Sequence, residues 1–465
     1  MTIAAAVRDT ASRHRRVLAP VWRRVLVVGV IAFVVRAIYW AALLHHCQPI
    51  SDANQYNQLA LNLVHGHGFS DTFPQLTMHP TAWRPPLFPL VLGALYAAFG
   101  AHLFLGQLLN ALLGSVVVVL VDRLGTRIAG STAGLTAAAV AAVCPELLAN
   151  DLTTLSEPLS HLLMLAAILL LLQRRLEMAG LASGLLVLAR ASAQPLVPVL
   201  AVWALAHMGW RRALRFTLVA IVVVSPWAIR NWIQLGSPVV VTSNGFNLAA
   251  AYSPEARQTG SFVDATKDPR FRATWPLERN EVAWDSVLTH LSLSELRHHP
   301  SELIQVLGRN ARDMFEIRPS TNIPAEVSDG RNLDFRRHTL WFFYVVTTLG
   351  LVGLGTAWRR EDTRLLVLVA ALFAVGALLT LSPPRLRSPF DLACAVGVGL
   401  LVAKLRQRRV LKERVPKERA KGRNRRTTGS HDGPLVGSSR MGWGWSGAEG
   451  SGTATDNPGC LRWGG

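Results

Sequence analysis

The sequence predicts an all-α polytopic membrane protein of about ten transmembrane helices, with two surface helices in the first outer loop and a small outer cap segment. Three observations lead there. Half of the 465 residues are hydrophobic and 17% are charged, and the apolar residues gather in blocks about as long as a helix needs to cross a bilayer. The Lys and Arg residues behind a net charge of +19 stand at the ends of those blocks and in the C-terminal tail. That is a topology signal, so no nucleic-acid partner is expected. Longer polar stretches then fall together on one face.

Basic clusters lie at 13–24, 123–127, 174–175, 211–215, 359–364 and from 404 onward. If all are cytoplasmic, an even number of crossings must separate neighbouring clusters. Between 24 and 123 the apolar stretches are 25–44, 87–99 and 103–121, and parity lays the shortest, 87–99, along the outer surface. Between 175 and 211 one long block, 181–206, is broken by Arg190-Ala-Ser-Ala-Gln-Pro195. Parity makes it two short helices. The other crossings are 130–148, 155–172, 216–229, two after 340 (340–358 and 365–381) and 392–405. Residues 1–24 form a basic cytoplasmic N-terminus ahead of an uncleaved first helix. Residues 25–405 form the transmembrane domain, with a first outer loop at 45–102 and an outer segment at 231–338. Residues 406–465 are a basic tail attracted to anionic lipid, then a Gly/Ser-rich stretch expected to be disordered.

The first outer loop opens on Ser51-Asp-Ala-Asn-Gln-Tyr56. Tyr56, Leu59, Ala60, Leu63 and Val64 recur at helical spacing and Gly66 stands where a helix would end, so a short amphipathic helix lies in the interface. Asp52 at its start reads either as a cap, with Gln55 completing a capping-box-like pair, or as a functional carboxylate. Further on, Trp83-Arg-Pro-Pro-Leu-Phe-Pro-Leu90 puts two prolines at the first turn of the second surface helix. Arg84 beside that helix start is a phosphate-site candidate or an interfacial arginine among lipid headgroups.

These residues resemble the bacterial C-type glycosyltransferases related to protein O-mannosyltransferases and aminoarabinose lipid A transferases. Carrying the likeness are Asp52, the helix ending in Gly66-His-Gly-Phe69, and Arg84-Pro-Pro-Leu-Phe-Pro89, followed by Leu152-Thr-Thr-Leu-Ser-Glu-Pro158, the Arg190 break, Ser225-Pro-Trp-Ala-Ile-Arg-Asn231, Ser243-Asn-Gly245 and Arg385-Leu-Arg-Ser-Pro-Phe-Asp391. The likeness implies a transferase, in the bacterial inner membrane with its active site on the extracytoplasmic face. It would move a hexose or pentose, with inversion, from a polyprenyl-phosphate donor to a glycan, lipid or protein acceptor. Asp52 is then the catalytic carboxylate, deprotonating the acceptor hydroxyl or holding it in line. Many relatives have Asp-Glu here, whereas this chain has Ala53, which puts a second carboxylate and a metal site in question.

Arg84, Arg385, Arg387, Arg230 and Arg190 are the candidates for the donor phosphate. Asp391 is close enough in sequence to neutralise Arg385 or Arg387, leaving one of them for the ligand. Glu157, an ionisable residue just inside an apolar helix, reads as functional or as a structural ion pair with Arg190 or Arg230. Tyr56, His79 and Asn231 complete the candidates. His65, His67 and His79 lack a two-turn metal motif, and the four cysteines lack metal-ligand spacing. No metal ligand is assigned and a divalent metal is left open as the cofactor. A transporter or flippase and a silent envelope-assembly scaffold are the alternative readings; no internal repeat supports the former.

Overall fold

A computed structural model describes residues 22–44, 51–73, 77–260, 262–381 and 383–427. The chain divides into two units, 1–408 and 409–465. Among the described residues the fold is almost wholly helical, the sole sheet pairing β1 (Ser70–Asp71) with β2 (His79–Pro80). The protein is an all-α, multi-pass membrane protein.

Each apolar block of the sequence is a helix. Among the described residues, seven helices are long and apolar enough to span a bilayer, including α1 (Trp22–Leu43), α4 (Leu103–Ala129) and α10 (Trp210–Leu235). An eighth span results if α5 (Ser131–Val143) and α6 (Pro145–Asp151) count together across a 63° bend. The predicted single helix over 130–148 is therefore broken, because Pro145 forces Cys144 into an extended backbone (ψ 117°) that stops α5. Three apolar helices among the described residues are shorter than a full span, α3 (Leu87–Phe99), α7 (Glu157–Leu172) and α8 (Leu176–Ala189). The break between α8 and α9 (Leu196–Met208) is a 3₁₀ turn over Ala191–Ala193, at the place the sequence assigned.

Three boundaries differ from expectation for one reason: polar residues continue an apolar helix when its backbone bonds are satisfied. α10 runs through Arg230 and Asn231 to Gly236, whose left-handed backbone (φ 77°) ends it. α16 (Leu333–Thr356) starts within the predicted outer segment. α18 (Ser388–Thr427) continues through the basic residues that were expected to form a tail, while 428–465 lies outside the described residues. α17 (Glu361–Leu379) completes the bundle.

Glycine sets the close helix pairs, as expected where lipid gives little hydrophobic drive for helices to associate. A Cβ on Gly353 of α16 would meet the Gly397 carbonyl of α18 at 1.8 Å, and one on Gly180 of α8 would meet the Phe216 carbonyl of α10 at 2.4 Å. One charge pair is buried between α1 and α6, where Arg36 donates from Nε to Asp151 at 2.9 Å. Gly114 of α4 leaves room for that carboxylate.

Between α1 and α4 lie α2 (Ser51–Val64) and α3 (Leu87–Phe99), close to their predicted bounds. Between α10 and α16 a small cap holds α11 (Asn244–Tyr252), α12 (Pro254–Thr259), α13 (Glu281–His298), α14 (Ser301–Met314) and α15 (Ile323–Ser328). Its core is aromatic, with Trp284 fully buried and stacked on Trp83 at 5.9 Å. The cap is moored to the bundle by Asn310, which donates to the Leu378 carbonyl at 2.8 Å, and by Tyr252, which donates to that of Leu379 at 2.7 Å.

Candidate functional site

Helix starts converge on one place. Asp52 lies in the first turn of α2, Arg84 just before α3, and Glu157 in the first turn of α7. Arg385 sits in a 3₁₀ turn, Pro384–Arg387, that leads into α18, and Arg190 ends α8. Helix N-termini favour negative charge, so an anion here meets both guanidiniums and aligned peptide dipoles.

The side chains form a chain of alternating charge. Asp52 accepts from Arg84 on Oδ1 and from Arg385 on Oδ2. Arg84 also donates from Nε to Gln55 Oε1 at 2.7 Å and lies over the Tyr56 ring, 5.8 Å from its centroid. Tyr56 in turn bonds Ser156 at 3.1 Å, next to Glu157. Glu157 Oε1 is 3.2 Å from Arg190 and 3.9 Å from Arg385. Burial by itself would raise the Asp52 carboxyl, but the two guanidiniums outweigh it and hold the group well below the usual carboxylate range. Gln55 serves as an anchor for Arg84, not as a partner in a capping box.

Asp329, which the sequence reading passed over, also belongs here. It occupies the turn between α15 and α16, with Oδ1 2.9 Å from Nη1 of Arg385. That approach is not aligned as a hydrogen bond, so Nη1 and Nε of Arg385 are buried without a hydrogen-bond partner among the described residues. Glu157 Oε2 is likewise unbonded. A buried guanidinium with two unused N–H groups is an unfinished arrangement that an anion with several oxygens would complete.

The other candidates lie elsewhere. Arg387 meets Glu316 at 2.5 Å and Asp391 at 3.3 Å, donates to the Met314 carbonyl at 2.8 Å, and lies 3.6 Å from the centre of the Phe343 ring. Asp391 thus neutralises Arg387 and leaves Arg385 to the site. Arg230 donates to the carbonyls of Thr81 and Phe69 and to the side chain of Asn231, whose own amide donates to Val239. Both hold a loop in place. His79 bonds Glu281 at 2.9 Å in a knot that includes Thr81, Thr242 and the Ala82 amide. Glu157 pairs with Arg190, and Arg230 has no part in it.

No three His, Cys, Asp or Glu side chains among the described residues are placed to hold a metal ion together. Both oxygens of Asp52 face guanidiniums, and position 53 is alanine. A divalent ion would have to displace an arginine, so the residues as arranged do not fit one.

No family model and no curated protein sequence matches the chain. Solved structures do. The Archaeoglobus fulgidus oligosaccharyltransferase in its apo form shares the fold with a TM-score of 0.51 and 15% identity, over 84% of this chain and 51% of that one. The same protein in complex with Zn and sulfate gives 0.51 and 15%, over 83% and 49%. ArnT from Cupriavidus metallidurans bound to undecaprenyl phosphate gives 0.38 and 16%, over 83% and 78%. The chain spans about half the length of the oligosaccharyltransferase it matches. The likeness to the oligosaccharyltransferase is one of fold.

Proposed function

We propose that the chain is a membrane glycosyltransferase that moves a sugar from a polyprenyl-phosphate carrier to an acceptor hydroxyl. The observation that carries the reading is Arg385, buried against Asp52 with two N–H groups unbonded at a meeting of helix starts. Such a fork fits the oxygens of a phosphate monoester or diester. Arg84 and Arg385 grip the carrier phosphate and stabilise the charge that grows on it as the anomeric bond breaks. Asp52 aims both guanidiniums and, through them, holds the acceptor hydroxyl in line. That is the second of the two roles its position allowed, because a carboxylate held so far below its usual range is a weak base. A direct displacement of this kind inverts the anomeric carbon.

The charge parity of the basic clusters supports a site on the extracytoplasmic face, which the family resemblance in the sequence would set in a bacterial inner membrane, and the cap, packed on α17, is suited to receive the acceptor. The test is turnover. Purified protein incubated with radiolabelled polyprenyl-phosphate hexoses and pentoses and with envelope extract should move label to an acceptor fraction and release the carrier phosphate. Label that crosses vesicles unchanged would instead indicate a transporter, and no change in any carrier would leave a scaffold.

A further inference from the structure

We propose that Asp329 takes the proton of the acceptor hydroxyl, supplying from the cap side the second carboxylate that Ala53 does not provide. The inference rests on the glycosyltransferase reading and goes beyond it by assigning the base. A proton acceptor needs a lone pair that is not already committed. Asp52 has both oxygens engaged by charge-assisted hydrogen bonds from Arg84 and Arg385. Glu157 lies between Arg190 and Arg385 on Oε1, and its other oxygen is fully buried.

Asp329 differs from both. Its Oδ1 stands at 2.9 Å from Arg385 without hydrogen-bond alignment, and its Oδ2 stands 3.9 Å from Arg331 Nε. The side chain is 8% exposed. Gly330, with φ +70°, makes the turn that presents it. It reaches the same guanidinium as Asp52 from the opposite nitrogen, so a hydroxyl lying against Arg385 is within reach of both carboxylates.

The charged groups around Asp329 come from several elements: Arg385 from the turn before α18, Asp52 from α2, Glu157 from α7, and Arg331 beside it, shared with Glu146 and Glu326. Burial is the largest influence and pushes its carboxyl up to about 6, against the pull of Arg385 and Arg331. A general base works best with a pKa near the operating pH. In the step, the acceptor oxygen bonds to the anomeric carbon as the carbon–oxygen bond to phosphate breaks. The electron pair of that bond leaves on the carrier phosphate, and the hydroxyl proton passes to Asp329 and then to water.

The experiment compares wild type with Asp329→Asn and Asp329→Glu, using a carrier-linked sugar that wild type turns over, from pH 5 to 9. Carrier binding is measured separately with polyprenyl phosphate alone. Wild-type kcat should rise about tenfold per pH unit below about 6 and then level, since the ionised form is the active one. Asp329→Asn should bind the carrier as wild type does, with kcat lower by on the order of 100-fold or more and the acid limb gone. Asp329→Glu should recover part of the rate together with the limb. An Asn variant within about threefold of wild type, or one whose residual rate keeps the limb, overturns the assignment and leaves the transferase reading standing. A wild type that transfers no sugar from any carrier overturns both.

Discussion

Arg385 and Arg387 stand two residues apart on one Pro-restricted turn, and they do opposite work. Arg387 is 2% exposed and complete, with two carboxylates, a carbonyl and an aromatic face around it. Arg385 has three carboxylates within 4 Å yet keeps two buried N–H groups without a bond. The difference lies in alignment, not in the amount of charge. A guanidinium whose neighbours satisfy it fixes the fold, whereas one surrounded but unsatisfied has donors left for a ligand.

Substitution can break or sharpen that contrast. The largest effect is expected at Arg387. Arg387→Met leaves Asp391 buried without its cation and takes from Glu316 one of its two, Arg336 remaining, which costs about 3–5 kcal/mol. Little folded protein should remain by fluorescence-detected size exclusion after mild heating; a variant as stable as wild type would mean that Arg387 holds nothing together. Next is Asp52→Asn, which keeps shape and one acceptor but loses a charge-assisted bond to one arginine. The loss of about 1.5–3 kcal/mol corresponds to a roughly 10- to 150-fold fall in transfer with normal folding. Transfer at the wild-type rate would reduce Asp52 to a helix-start residue. The smallest effect belongs to the knot at Glu281. His79→Ala removes one of its bonds, so stability should drop by about 0.5–1.5 kcal/mol while kcat and KM stay as they were. A selective loss of kcat would move His79 into the chemistry.

The same contrast explains how far the sequence could be read. Apolar blocks and basic clusters located the helices, including the break at Arg190, because span length and charge at the ends are local properties. Helix ends were harder. Arg230 and Asn231 read as the start of an outer segment, but their side chains bond carbonyls and each other while α10 continues. Asp52, Arg84 and Arg385 stood out through motif order, although their mutual contact spans over 300 residues and left no periodic mark. Asp391 was recognised as the neutraliser of one arginine, and only the fold decides which. Asp329 was missed because Val327-Ser-Asp-Gly-Arg331 reads as an ordinary turn. Its one signal was the density of charge at 326–331 immediately ahead of an apolar helix.

The central claim is that Arg385, not Arg387 or Arg230, holds the carrier phosphate, and binding tests it without any knowledge of the sugar or acceptor. Polyprenyl phosphate would be titrated into purified wild type, Arg84→Lys, Arg385→Lys and Arg230→Lys, with the intact fold of each checked by size exclusion. A lysine keeps the charge but cannot reproduce the bidentate fork. Arg84→Lys and Arg385→Lys should each weaken binding about tenfold, as expected for one lost charge-assisted hydrogen bond, and Arg230→Lys should leave it unchanged. Equal affinity in wild type and Arg385→Lys, or a loss confined to Arg230→Lys, would contradict the account.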